Sequence, residues 1–183
     1  MKSRILIVAA LAALVVPAAS FAGAPTGADR ENGARACRAL RATMGEELFR
    51  LSYGTVESNR RNAFGRCVSQ WARSEHQSRI SARAACAAEQ ADPNFAATHD
   101  GKSFAEFYGT GPRHANAFGR CVSSKARAAS LEARQATANA AKTCKAERSE
   151  IGPSEFRAKY GKSSNDRNAF GKCVSELAKA PSA

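Results

Sequence analysis

Nine side chains in this sequence are of the types that most often carry covalent or acid–base chemistry. They are Cys37, Cys67, Cys86, Cys121, Cys144 and Cys173, with His76, His99 and His114. Zinc would want cysteines or histidines at close ligand spacing, and no CxxC or Cys/His pair of that kind occurs. The same gap removes a CxxC redox centre. The chain contains no HExxH, GxSxG, GxGxxG or phosphate-cradling GxxxxGK(S/T). His99-Asp100 is an adjacent acid–base pair, but the four aspartates, Asp29, Asp92, Asp100 and Asp166, are otherwise scattered. "GKSSNDRN" (161–168) is rich in oxygen ligands, yet its counterpart "GTVESNRRN" (54–62) lacks that spacing, so calcium is not expected. We therefore assign no catalytic residue, cofactor or metal. The chemistry that remains is oxidation of thiols to disulfides.

The pairing follows from an internal repeat. "NAFGRCVS" stands at 62–69 and again at 116–123, and "NAFGKCVS" at 168–175. Each copy has a first cysteine, a phenylalanine four residues before a "YG", and then this octapeptide. Six thiols allow 15 connectivities. If each repeat closes on itself, only Cys37–Cys67, Cys86–Cys121 and Cys144–Cys173 remain. The repeats then occupy residues 23–76, 77–131 and 132–183. The second is enlarged by six residues between its first cysteine and Phe104.

The segments around these loops are rich in Ala, Arg, Glu, Gln and Lys, which favours helix. Phe64, Cys67, Val68 and Trp71 recur at i, i+3, i+4 and i+7, one helical face. We expect each module to be a stapled helical hairpin with its own small core. That core would hold Phe49, Tyr53, Phe64 and Val68 in the first, Phe104, Tyr108, Phe118 and Val122 in the second, and Phe156, Tyr160, Phe170 and Val174 in the third. Asn62, Asn116 and Asn168 read as N-caps bonded to the amide three residues on. Gly65, Gly119 and Gly171 would let a neighbouring loop come close. Gly54 and its counterparts Gly109 and Gly161 read as left-handed helix stops.

The fold class is all-α: three hairpin modules joined by two long shared helices. Along these connectors the paired cysteines point about 100° and 140° apart, which a square up-down four-helix bundle permits. Away from the modules, however, they offer only Ile80 and Leu131 as large apolar side chains. Helices polar on most sides bridge through solvent, so an extended zigzag is the expected arrangement, with the bundle as its alternative.

"FRAKYG" (156–161), a polar loop and "RNAFGKCVS" (167–175) together resemble a family of small exported bacterial proteins built from repeated cysteine-pair modules. The first copy carries "FRLSYG" and "RNAFGRCVS", while the second departs with "FAEFYG". The resemblance spans most of residues 30–180. It implies export and repetition, and no particular activity.

Export is also read from the start of the chain. Lys2 and Arg4, an apolar run over 5–16 and the small-x-small Ser20-Phe21-Ala22 form a signal peptide, 1–22, cleaved after Ala22. That run is too short to span a bilayer, which needs about 20 residues. The mature chain should be secreted or extracytoplasmic, soluble and without a membrane span. Its formal charge falls from +12 to +10 with the loss of Lys2 and Arg4. From Gly23 onward only about 12% of residues are Leu, Ile, Val or Phe, a level at which burial alone seldom folds a chain; the disulfides must contribute. A basic exported protein suits anionic surfaces. The repeat places a cation before each second cysteine, Arg66, Arg120 and Lys172, and three such cations could engage a polyanion multivalently. The expected function is non-catalytic binding or scaffolding, with an anionic envelope polymer or another exported protein as partner. Export argues against dedicated nucleic-acid binding. The alternative is a secreted enzyme using the enlarged loop, 93–115.

Overall fold

A computed structural model of the chain describes residues 23–55, 61–161 and 168–179. Residues 1–22, read above as a signal peptide, and 162–167 of the oxygen-rich stretch 161–168 lie outside them. The described residues form six helices and no strands. They are α1 (Gly27–Tyr53), α2 (Ala63–Ala91), α3 (Phe95–Thr98), α4 (Phe104–Tyr108), α5 (Ala117–Tyr160) and α6 (Ala169–Leu177). The protein is all-α. Long helices α2 and α5 run unbroken through 76/77 and 131/132, so the repeats share helices rather than being separated by linkers.

Two of these helices bend at glycine. Gly45 in α1 has φ 81° and ψ 162°, and Gly152 in α5 has φ 84° and ψ 157°, a region that only glycine occupies readily. Each stands four residues before the module phenylalanine, Phe49 or Phe156. Gly101, with φ 76°, precedes α4 in the second module. A sharp glycine turn thus aims the short Phe-x-x-x-Tyr helix back across its partner in every repeat. Pro153 then begins the new segment, where a missing N–H costs nothing.

The disulfides join Cys37 to Cys67, Cys86 to Cys121 and Cys144 to Cys173, the pairs that repeat symmetry selects. Their Cα–Cα separations of 6.0, 6.1 and 6.1 Å are ordinary. All six cysteines are fully buried.

The extended zigzag is not the arrangement found. Helices α1, α2, α5 and α6 pack together, and modules 1 and 3 merge into one core. That core contains Leu40, Met44, Leu48, Phe49, Tyr53 and Trp71 from the first, with Phe156, Tyr160, Phe170 and Val174 from the third. Phe64 and Val68 are half-buried against it. Module 2 keeps a separate core of Phe95, Phe104, Ala117 and its cystine, flanked by Tyr108, Phe118 and Val122.

The physical reason is alanine. The connectors bury Ala72 and Ala82 on α2 and Ala126, Ala138, Ala140 and Ala141 on α5, and small side chains let helix backbones approach. At Gly33 on α1 a Cβ would stand 2.8 Å from the Ala72 amide nitrogen. The connector packing even accepts a polar pair, since Ser130 Oγ donates to buried Glu75 Oε1 at 2.5 Å. Leu131, one of the two large apolar side chains that the connectors offer, is half-exposed.

Candidate anion-binding groove

Within each module the tyrosine hydroxyl finds a buried or half-buried partner. Trp71 Nε1 donates to Tyr53 Oη at 3.0 Å. Tyr108 donates to Glu89 and Tyr160 to Glu147, each at 2.8 Å. Lys125 and Lys159 complete the last two clusters at 2.7 and 2.5 Å from Glu89 and Glu147. Burial pushes both of these tyrosines up, and their glutamates push them further. Burial also raises Glu89, but the hydrogen bonds from Lys125 and Tyr108 outweigh it and hold the carboxyl below its ordinary value. Glu89 and Glu147 each lie three residues after a first cysteine, in "CAAE" and "CKAE". Sequence reasoning passed over that repetition. A cluster that recurs in two modules closes hairpins.

Three sequence readings of the loops need correction. Asn62 and Asn116 make no side-chain cap hydrogen bond, and neither does Asn168. Instead Asn62 Nδ2 donates to Thr55 Oγ1 at 2.8 Å while its Oδ1 accepts from the Thr55 amide at 3.3 Å. Asn116 grips Thr110 in the same way, at 2.8 and 2.9 Å. The asparagine ties the loop across its mouth, and its backbone has ψ of −1° at Asn62 and 4° at Asn116 instead of the extended conformation of a capping residue. Gly54, Gly109 and Gly161 have φ near −80° with extended ψ, so none is a left-handed stop. At Gly109 the reason for glycine is space: a Cβ would lie 2.4 Å from the Ala105 carbonyl. Gly65 and Gly119 face open space, whereas a Cβ on Gly171 would meet Ser52 O at 2.6 Å. The close approach expected of all three occurs only where module 3 docks on module 1.

That docking forms a groove of about 620 Å³ between α2 and α6, with residues 51–55 in its lining. Arg66 and Lys172 both line it. So do Arg73 on α2 and Lys179 in the turn after α6. Arg66, Ser69 and Arg73 occupy the same repeat positions as Lys172, Ser175 and Lys179, so the two walls carry one pattern twice. Arg66, Arg73 and Lys179 are exposed and Lys172 is half-buried. Among the described residues none of the four forms an ion pair. Glu176 is the one acid among the described residues of the lining. Ser69 has committed its proton to Gly65 O at 3.0 Å, so on that wall the charged donors are Arg66 and Arg73, beside the Gln70 amide.

Arg120 does not join them. Its Nε donates to Tyr108 O at 3.1 Å, tying down the module 2 loop. Two of the three repeated cations are therefore brought together and the third is not. Sequence reasoning missed Arg73 and Lys179, although the signal was present. A cation also follows each second cysteine by six residues, at Arg73, Arg127 and Lys179.

In the enlarged loop, His99 stacks flat on Phe95 with ring centroids 3.8 Å apart, and its Nδ1 lies 2.8 Å from Phe95 O. Asp100 sits at φ 52° in the turn that follows. His99 thus braces the insertion against the module 2 core.

No family model, curated protein or solved structure matches this chain. No helix among the described residues is long and apolar enough to cross a membrane. Three buried cystines and no free cysteine fit an oxidising compartment.

Proposed function

We propose that this is an exported, non-catalytic binding protein that holds an extended anionic polymer in the groove between α2 and α6. The observation that carries the reading is the doubled cation pattern, Arg66 with Arg73 and Lys172 with Lys179, lining one groove with no ion-pair partner among the described residues. Arg66 and Arg73 are seven residues apart, a rise of about 10.5 Å along α2. Cations spread over that length suit a row of anionic groups better than one small anion. The groove is open and polar, which suits a chain lying along it. Phosphate or sulfate groups along a polymer would displace counter-ions from the cations and be held by charge-assisted hydrogen bonds.

The test uses fluorescein-labelled inorganic polyphosphate as the probe, with anisotropy titrations at 50 and 200 mM salt. Changing Arg66, Arg73, Lys172 and Lys179 together to Gln is expected to weaken binding at least tenfold and to flatten the salt dependence. Arg38, Lys102, Arg113 and Lys142 are exposed cations outside the groove. Changing those four to Gln removes the same charge and is expected to cost threefold or less. Equal losses would mean that net charge alone binds the polymer and that the groove is no site.

A further inference from the structure

Asp29 is the most unusual polar residue of the fold. It is completely buried at the start of α1, and its two oxygens are treated very differently. Oδ2 accepts from the Thr26 amide and hydroxyl, both at 2.8 Å, and from Arg79 Nη2 at 2.8 Å, with His76 Nδ1 at 3.2 Å. Oδ1 has no partner among the described residues, and neither do two buried nitrogens of the same cluster, Arg79 Nε and His76 Nε2, the latter on the side of the ring away from Asp29. A carboxylate oxygen can only accept, so leaving one buried and bare is costly. Arg79 Nε is an unpaired donor in the cluster but makes no bond to Oδ1, so the carboxylate still lacks a donor there.

A further donor lies on the His76 side of the cluster. Gly23 packs on the outer edge of His76, where an ideal Cβ would lie 3.6 Å from Nε2. Covalent geometry then keeps the Gly23 nitrogen within about 6 Å of that ring atom. Gly23 is also the first residue left by cleavage after Ala22, so this step rests on the signal-peptide reading above. Cleavage would convert an amide with a single N–H into an ammonium with three. Asp29 and Arg79 already cancel in charge, so the added cation meets no net repulsion from that pair. If His76 donates from Nδ1 to Asp29, its Nε2 is left as an acceptor aimed towards Gly23.

We infer that the Asp29–His76 pair is a receptor for the chain's own α-ammonium: the processed N-terminus at Gly23 docks there and locks the start of α1 against α2. Only the processed chain completes the cluster, so removal of the leader and closure of the fold become one event.

The test compares the mature chain beginning at Gly23 with the same chain carrying an added Ser-Ala before Gly23. The extension moves the ammonium away and leaves every described side chain in place. It is expected to lower Tm by about 3–6 °C, as loss of a charge-assisted bond in a chain of this size should. In an Asp29→Asn background the same extension is expected to change Tm by less than 1 °C. Should that variant fold poorly, reductive methylation supplies an independent reading. The Gly23 amine should react at least tenfold more slowly in the folded protein than in the same protein reduced and unfolded in urea. Equal Tm for the mature and extended chains, with an unprotected amine, would overturn the inference. Intact mass separates the two failures: a product beginning elsewhere than Gly23 refutes the cleavage reading, whereas a correct start with an unprotected amine refutes the docking.

Discussion

Replacing Gly171 by alanine is expected to destabilise the protein by about 1–3 kcal/mol, while the same change at Gly65 or Gly119 should be neutral or stabilising by up to about 1 kcal/mol. The three glycines are one position of the octapeptide written three times, each in the first turn of a helix. At Gly65 and Gly119 a new methyl group meets nothing within 4 Å, so only the better helix propensity of alanine is felt. At Gly171 it meets Ser52 O at 2.6 Å, and a main-chain carbonyl near the end of α1 cannot swing aside as a flexible side chain would. Helices α1 and α6 must then part, and the groove wall that carries Lys172 moves with them. Urea midpoints of the three single variants check the stability claim, and the polyphosphate titration should show a loss only for Gly171→Ala. Equal midpoints would mean that modules 1 and 3 do not touch there.

Removing disulfides is expected to split the molecule into two classes of effect. Their sequence separations of 30, 35 and 29 residues are similar, so closing each loop contributes about 3.5–4 kcal/mol by the chain-entropy account. What differs is where the loss is felt. Cys37–Cys67 and Cys144–Cys173 lie in the shared core, and replacing either pair by alanine should lower the unfolding of α1, α2, α5 and α6 together. Cys86–Cys121 belongs to the small separate core, so its removal should loosen residues 86–121 and leave the rest folded. Trp71 is the sole tryptophan and is buried in the shared core, which makes its fluorescence a selective probe. Its urea midpoint should fall sharply for the first two double variants. For the third it should stay within about 0.3 M while far-UV ellipticity declines earlier. A common shift in all three would contradict the two-core arrangement.

The disulfide pairs were legible because repetition in the sequence removed an otherwise 15-fold ambiguity. The helices were legible from composition and from apolar residues at i, i+3, i+4 and i+7. The way the modules assemble was not, since large apolar residues carried the expectation and alanine carries the packing. Ala138, Ala140 and Ala141 look like propensity in the sequence and prove to be buried contact. The glycine bends could have been read, because "MGEELF" and "IGPSEF" share their spacing to the phenylalanine. The caps were misread because asparagine before a helix has two uses, and the threonine after "YG" decided between them. The groove was half-legible: Arg66 and Lys172 stood out beside the cysteines, whereas Arg73 and Lys179 needed α2 and α6 to be placed along one cleft.

The groove exists only if the first and third modules dock, although Ser52 and Gly171 lie more than a hundred residues apart in the chain. The most direct measurement is a nuclear Overhauser experiment on the mature, oxidised protein between the Gly171 α-protons and the protons of Ser52. The account predicts cross-peaks between them, together with others joining Phe170 and Val174 to residues of α1 or α2 in the shared core. An assigned spectrum in which module 3 shows contacts only to itself and to α5, with none to α1 or α2, would contradict it.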